Sequence, residues 1–411
     1  MKKGGFPKLT VRDAPLEGKT VLVRVDYNVP MNKKGEIEDD YRISQSVATI
    51  EELIRLKCKI VLISHMGRPD GKVVASASLE PIAARLSELL DRPVKFVPNC
   101  IGDQAAQAAR RLHPGGVVLF ENLRFHAGEE ANDESFARAL ARDSGAQYFV
   151  QDGFGVVHRA HASTDAITHM LPSVAGLLLE REWTSITGAM ENPKRPMVAV
   201  LGGAKISDKI KIIKRFIGIA DTIVIGGAMA NTFLKYKGYD IGKSVHEDGL
   251  DDIMNEIYKE AEKKVGKEVV DDFILLPSDV AVGDHVDADA RRAVVSVGDV
   301  KPNEYILDIG WHAIDVAVNA VTGAGTVIWN GTLGYAEVPQ FAHGSARLAL
   351  ALASQPETTS VIGGGDTADF VLHWDGRKGG SFTHVSTGGG ASLDLMAGEK
   401  MPGIDALLDA R

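Results

Sequence analysis

Cysteine is nearly missing from this chain. Cys58 and Cys100 are its only two in 411 residues, too few for a disulfide framework or a cysteine-built zinc site. A reducing cytosol is the expected compartment. Excess positive charge is missing as well. The formal net charge is −9, whereas proteins whose main ligand is DNA or RNA carry a basic surface. Any anion site must therefore be a local cluster of cations within an acidic whole. No apolar run approaches the roughly 20 residues that span a bilayer. The start, Met1-Lys2-Lys3-Gly4-Gly5, carries basic residues with no apolar stretch behind them, so the chain is expected to be neither exported nor inserted. Low-complexity segments and fixed-period repeats are absent too.

What remains is an ordinary globular composition, 45% hydrophobic and 25% charged, on a chain too long for one comfortable core. Two domains are the prior. Short β-branched runs alternate with longer amphipathic or alanine-rich stretches, the pattern of parallel strands joined by helices. In the first half the expected strands are Val21–Val25, Ile60–Ile63, Val94–Val97, Val117–Phe120 and Tyr148–Val150. In the second half they are Val198–Leu201, Thr222–Ile225, Phe273–Leu276, Tyr305–Leu307, Val327–Trp329 and Ser360–Ile362. A helix from Leu177 to about Met190, stopped by Asn192-Pro193-Lys194-Arg195-Pro196, separates the two sets. The predicted fold is α/β: two open, doubly wound, parallel-sheet (Rossmann-like) domains, residues 1–176 and 192–390, joined by a hinge helix over 177–191.

Ligands of such sheets bind beyond the carboxyl ends of the strands, and there the two halves differ. After first-half strands come Asp26-Tyr27-Asn28, His65-Met66-Gly67-Arg68, Asn122-Leu123-Arg124 and Asp152-Gly153-Phe154-Gly155, the last leading to His158-Arg159-Ala160-His161. Arginine's planar fork matches carboxylate and phosphate oxygens, so a converging set suits a small phosphorylated acid. His158 and His161 read as capping or structural groups. After second-half strands come Gly202-Gly203-Ala204-Lys205, Gly226-Gly227, Asn330-Gly331 and Gly363-Gly364-Gly365-Asp366-Thr367. Glycines let a backbone approach a bulkier phosphate ester closely. In Val200-Leu-Gly-Gly-Ala-Lys-Ile-Ser-Asp-Lys209 the two lysines, four apart, are expected on one face of a helix start, beside unpaired N–H groups.

Two look-alikes fail. Gly18-Lys19-Thr20 mimics the end of a Walker A loop, but Asp13 stands where its first glycine belongs and a strand follows. Gly363-Gly364-Gly365-Asp366-Thr367-Ala368 fits a dinucleotide fingerprint, yet the next strand ends in His384-Val385-Ser386-Thr387 with no acidic residue to hold a ribose. A metabolite-sensing binding protein would need the arginines but not Lys205, Lys209, Asp366 and Glu337 together.

Eight blocks, in order, resemble the phosphoglycerate kinase family along almost the full chain. They are Val23-Arg-Val-Asp-Tyr-Asn-Val-Pro30, Ser64-His-Met-Gly-Arg-Pro69, Glu121-Asn-Leu-Arg-Phe125, Asp152-Gly-Phe-Gly155 with His158-Arg-Ala-His-Ala-Ser-Thr164, Leu201-Gly-Gly-Ala-Lys-Ile-Ser-Asp-Lys209, Trp329-Asn-Gly331, Gly363-Gly-Gly-Asp-Thr367 and His384-Val-Ser-Thr-Gly-Gly-Gly-Ala-Ser-Leu393. The resemblance implies that the first domain binds 3-phosphoglycerate or 1,3-bisphosphoglycerate through Asp26, Tyr27, Asn28, Arg42, His65, Met66, Gly67, Arg68, Arg124 and Arg159. It implies that the second binds ATP or ADP through Lys205, Lys209, Gly310, Glu337, Gly364, Gly365, Asp366 and Thr367, with Mg²⁺ on Asp366. It also implies a tail, 391–411, returning to the first domain; the expected protein is a cytoplasmic enzyme, a monomer in preference to a homodimer. Ala228, Thr332 and Trp311-His312 depart from the family's usual residues near the expected nucleotide pocket.

The chemistry is consistent with that resemblance. Between a carboxylate and a nucleoside diphosphate the nucleophile is already an anion, so no general base and no activated Ser or Cys is required. Positioning and charge neutralisation suffice, with Arg42, Lys205 and Lys209 as the expected catalytic cations.

Overall fold

The computed structural model describes residues 5–410; the first four residues of the start read above, and Arg411, lie outside that range. The chain divides into two compact units, residues 1–184 with 399–411, and residues 185–398.

The first unit is built on strands β1 (Thr20–Arg24), β2 (Lys59–Ile63), β3 (Val94–Val97), β4 (Val117–Phe120), β5 (Tyr148–Gln151) and β6 (Ser173–Ala175), all parallel in the order β3-β4-β2-β1-β5-β6. Alternate residues of a strand face opposite sides of the sheet, and here both sides are covered. Val21, Val23, Ile60, Leu62, Val117 and Leu119 join one core with Ile43, Ile50, Leu53, Ile82 and Leu86 from the helices Tyr41–Arg55 and Glu80–Leu90. Leu22, Val61, Ile63, Val118 and Phe120 join another with Ala105, Ala109, Phe136 and Leu140 from the helices Asp103–Arg110 and Glu134–Ser144. The continuous apolar runs in the sequence follow from this two-sided burial.

The second unit contains β7 (Met197–Leu201), β8 (Thr222–Ile225), β9 (Ile274–Leu275), β10 (Asp279–Gly283), β11 (Ala293–Ser296), β12 (Tyr305–Ile309), β13 (Thr326–Asn330), β14 (Thr359–Gly363) and β15 (His384–Val385). Six form a parallel sheet in the order β15-β14-β13-β7-β8-β9. The other three form a separate antiparallel sheet, β11-β10-β12. This corrects the expectation that the Tyr305 strand belongs to the parallel set. β12 pairs antiparallel with β10, and β11 has no fully buried residue to mark it in the sequence.

The helix Leu177–Glu191 runs across the division between the units. Its start is anchored within the first unit: the Asp152 carboxylate, at the end of β5, accepts from the N–H groups of Leu178 (3.0 Å) and Leu179 (3.4 Å). A Cβ on Gly176 would lie 2.0 Å from that carboxylate, which leaves only glycine there. Asp152 is fully buried, and burial pushes its carboxyl up to about 7 against the pull of those hydrogen bonds. An unfolded aspartate titrates near 3.9, at roughly its ordinary value. Between the two values the folded chain keeps a proton that the unfolded chain has lost, so this group's contribution to stability falls as pH rises from about 4 to about 7. Asp152→Asn removes that dependence. Urea unfolding of the variant should lose less stability than the parent between pH 5 and 7, the slopes differing by up to about 1.4 kcal/mol per pH unit. Parallel slopes would mean that the Asp152 carboxyl is ionised throughout.

Candidate functional site

In the first unit, β4, β2, β1 and β5 are consecutive neighbours in a parallel sheet, so the loops leaving their carboxyl ends are brought together. Asn28 ties the loops after β1 and β2 to the helix that follows β1. Its N–H donates to Asp26 Oδ1 (3.1 Å), its Oδ1 accepts from Gly67 N (2.9 Å), and its carbonyl accepts from Arg42 Nη1 (2.6 Å) at the start of the helix Tyr41–Arg55. Asn122 does the same between β2 and β4: its Oδ1 accepts from Arg124 N (3.0 Å) and Met66 N (3.2 Å), and its Nδ2 donates to Met66 O (2.7 Å). Arg124, 4% exposed, donates to Gly67 O (2.7 Å) and pairs with Glu130 at 3.3 Å. Burial pushes its guanidinium below the ordinary value; Glu130 and Glu129 oppose this, while the like charges of Arg159 and Arg68 add to it. Arg68 and Arg159 are exposed, and Arg42 is half-buried with its Nη1 3.8 Å from Asp26.

Tyr27 and Met66 face the other way. Both side chains belong to the core beneath the strand ends, and their N–H groups are taken by Ser64 Oγ and Asn122 Oδ1. Sequence reasoning missed Arg24, Ser163 and Glu129, buried behind the loops, and singled out His161 only as a capping or structural group. Arg24, 1% exposed, reaches Ser163 Oγ (2.8 Å) and His65 Nδ1 (3.0 Å), and Ser163 in turn donates to Glu129 from its Oγ (2.6 Å) and N–H (3.0 Å). His161 is 8% exposed with Nδ1 4.0 Å from Glu129; burial first, then Arg124 and Arg24, bring it down to about 4.

In the second unit the ends of β7, β13 and β14 are adjacent. Gly331 has φ +98° and a Cβ there would sit 2.2 Å from Gly202 C, so two backbones touch where only glycine fits. Its N–H donates to Thr367 Oγ1 (2.6 Å). Lys209 Nζ is held by the carbonyls of Gly202 (2.7 Å) and Asn330 (3.3 Å), and burial lowers its ammonium to about 8 against Asp366 and Asp208. Lys205 stands apart. The helix begins at Ile210 after a tight turn over Ser207–Lys209, so the lysines do not share a helical face as their spacing suggests. The expected free N–H groups are also occupied: Glu247 accepts from the N–H groups of Ile206 (2.5 Å) and Ser207 (3.1 Å). Lys205 itself is exposed.

Asp366 is exposed in the first turn of the helix Gly365–Trp374, which starts at Gly364 with φ +88°. A second glycine-rich start, of the helix Gly389–Ala397, abuts it so closely that a Cβ on Gly389 would lie 2.7 Å from Gly365 N. Beside them the Asn330 side chain, 1% exposed, has an Nδ2 with no hydrogen-bond partner among the described residues. Such a donor suits an anion. Next to this cradle lies a cavity of about 310 Å³, its wall including Ala228, Asp308, Thr332, Tyr335, Glu337 and Asp366, with Val245, Val280, Ile306 and Leu307 supplying apolar surface. Two of the unusual residues thus face it, and the Thr332 hydroxyl donates to Gly334 O (2.9 Å), bracing the turn where proline is usual. Trp311 does not line it and stacks instead under Arg292, 4.5 Å from ring centre to guanidinium. Gly310 does not line it either; its N–H bonds Asp279 O (2.9 Å). Asp308, unremarked in the sequence, is 2% exposed and pushed by burial up to about 7 while accepting from Gly344 and Ile309 N–H groups.

An arginine cluster at the strand ends of one α/β unit, with a glycine-rich turn beside an apolar pocket in the other, is an arrangement that suits a phosphotransferase. A model of the family "Phosphoglycerate kinase" matches residues 11–399. A phosphoglycerate kinase of Chlorobium chlorochromatii is 45% identical over 403 residues, 97% of this chain and 99% of that one. Another, of Roseiflexus sp. (strain RS-1), is 44% identical over 98% of this chain and 100% of its own. Two solved structures of phosphoglycerate kinases, from Coxiella burnetii and Pyrococcus horikoshii OT3, superpose with a TM-score of 0.82 at 35% and 30% identity, over 97% of this chain and 98% of each. The chain belongs to the phosphoglycerate kinase family, and with it to the phosphotransferases whose acceptor is a carboxyl group. Among the described residues no helix is long and apolar enough to cross a membrane.

Proposed function

We propose that the first unit binds 3-phosphoglycerate or 1,3-bisphosphoglycerate and the second binds ATP or ADP with Mg²⁺, and that the two ligands exchange a phosphoryl group directly. The chain then works as a cytoplasmic monomer on small molecules, without nucleic acid or membrane. The observation that carries the division of labour is the contrast between five arginines gathered around one set of strand ends and the glycine cradle with its orphaned Asn330 amide at the other.

In this reading Arg42, Arg68, Arg124, Arg159 and His65 hold the acid's phosphate and carboxylate, with Asp26 and Asn28 fixing Arg42. Thr367, Gly364, Gly365 and the Asn330 amide receive nucleotide phosphates, Glu337 takes the ribose hydroxyls, and the apolar cavity takes the base. Among the described residues no three His, Cys, Asp or Glu side chains gather to hold a metal ion. Asp366 offers one hard carboxylate oxygen, which fits Mg²⁺ arriving on the nucleotide with its own phosphate and water ligands. Bound there, the ion would neutralise phosphate charge. The substrate carboxylate attacks the terminal phosphorus, ADP leaves, and no proton has to move. Lys205 meets the charge on the transferring group, and Lys209, already seated on two carbonyls, steadies the end of β7 and the nucleotide phosphates.

Because acid and nucleotide bind to different units, transfer requires the units to close on both ligands and to exclude water, which would otherwise hydrolyse an acyl phosphate. The helix Leu177–Glu191, which runs across the division between the units, and the second crossing of the chain at Gly398-Glu399 are the hinges in this proposal. Small-angle scattering with 3-phosphoglycerate alone, nucleotide alone, and both with Mg²⁺ and a non-reacting nucleotide analogue checks it. The radius of gyration should fall only with both ligands; an unchanged value would refute closure.

A further inference from the structure

Arg24 is nowhere a surface residue, yet every polar atom of its guanidinium is directed. Nε donates to Ser163 Oγ (2.8 Å), Nη1 to the Val25 carbonyl and, at 3.5 Å, to Ser64 Oγ, and Nη2 lies 3.0 Å from His65 Nδ1. A guanidinium has five N–H donors and no acceptor. The contact with His65 can therefore run in one direction only, from Nη2–H to the Nδ1 lone pair. In a neutral imidazole one nitrogen accepts and the other carries the proton, so the proton sits on Nε2. We propose that Arg24 is a positioning residue that fixes His65 as the neutral Nε2–H tautomer, so that this ring meets the phosphorylated acid as a hydrogen-bond donor and not as a cation.

The surroundings are consistent with this. Charging the ring would put a proton on Nδ1 facing the Nη2 donor, breaking the bond and setting two cations 3.0 Å apart. Burial, then Arg24, Arg124, Arg42 and His161, all hold the imidazole well below its ordinary value. The opposing group is Asp26, whose Oδ1 is 3.9 Å from Nδ1. Arg24 is itself held by bookkeeping of the same kind. Ser163 spends its one hydroxyl proton on Glu129 (2.6 Å), which leaves its lone pairs to accept from Arg24 Nε (2.8 Å). The chain Glu129–Ser163–Arg24–His65 thus passes orientation from a fully buried carboxylate to a ring beside the acid-binding loops.

The significance for the acid rests on the reading that 3-phosphoglycerate binds here; the tautomer does not, and the two are tested apart. Long-range ¹H–¹⁵N correlation spectra of the ligand-free protein, with His65 assigned by loss of its signals in His65→Gln, should show a protonated Nε2 and an unprotonated Nδ1, unchanged from pH 5.5 to 8. A protonated Nδ1, or an imidazolium at neutral pH, would overturn the proposal whether or not an Arg24 variant folds. Adding 3-phosphoglycerate should then shift the Nε2 resonance; no shift would count against the binding reading and leave the tautomer standing. In Arg24→Leu the ring should mix tautomers or titrate within that pH range, and KM for 3-phosphoglycerate should rise at least about 10-fold, the worth of one hydrogen bond to a charged group, with kcat changed far less. Arg24→Lys, which keeps a donor, should restore part of the loss. An unaltered His65 pattern in a folded Arg24→Leu protein would reduce Arg24 to a structural role and refute its positioning of the ring.

Discussion

Replacing Lys205 with alanine is expected to lower kcat by about 10²–10³-fold, the usual loss when one preorganised charge on a transition state is removed, while 3-phosphoglycerate binds almost as before. The reason is where the residue sits. Lys209 is committed in the ligand-free protein to the carbonyls of Gly202 and Asn330. Lys205 is exposed, on the bend between β7 and the turn that begins at Ser207. An exposed cation that is drawn to the Glu247 carboxylate but, among the described residues, is seated on no carbonyl is the one available for charge that exists only while the phosphoryl group is in transit, and such a contact is read in kcat, not in ground-state affinity. Steady-state kinetics and calorimetric titration of 3-phosphoglycerate on the same variant separate the two. An equal loss in kcat and in 3-phosphoglycerate affinity would contradict the assignment.

Glu129→Ala should cost about 3–5 kcal/mol of folding stability, the penalty for leaving a buried charge without its partner. Glu129 is fully buried, and its two oxygens receive both the hydroxyl and the N–H of Ser163, which carries Arg24. Burial pushes the Glu129 carboxyl up, with Arg24 and Ser163 pulling it back. Without it the Arg24 guanidinium keeps its burial and loses the carboxylate whose attraction offsets that burial most, leaving Asp26. Glu129→Gln, which retains one acceptor, should fall between. Urea unfolding measures both variants. A loss below about 1 kcal/mol for the alanine variant would show that Arg24 is neutralised by other groups.

Arg24 also shows how far the sequence was legible and where it stopped. The strand run Val21-Leu-Val-Arg-Val25 places an arginine inside an otherwise apolar stretch. Buried arginines are almost always paired, so a partner was implied, but Glu129 lies in a loop more than a hundred residues away with no local pattern to mark it. The parallel strands were readable because burial on both faces writes continuous β-branched runs. The antiparallel β11-β10-β12 sheet was not, since its edge strand Ala293–Ser296 is half-exposed and its pairing is fixed by neighbours distant in sequence. The arginine loops and the glycine turns were found because ligands of parallel sheets collect at carboxyl ends. The lysine pair was misplaced because spacing alone cannot reveal that Glu247, some 40 residues on, captures the N–H groups of the turn. Asp308 gave no signal beyond its place at the end of a strand; its importance appears only with the cavity it lines.

The central claim is direct transfer between the acid and the nucleotide, and trapping the product tests it most directly. The protein is mixed with ATP, Mg²⁺ and 3-phosphoglycerate in the presence of hydroxylamine, which converts an acyl phosphate to a hydroxamate. Hydroxamate and ADP should appear in equal amounts, and only when ATP, Mg²⁺ and 3-phosphoglycerate are all present. ADP released without 3-phosphoglycerate, or released with it but without hydroxamate, would contradict the account.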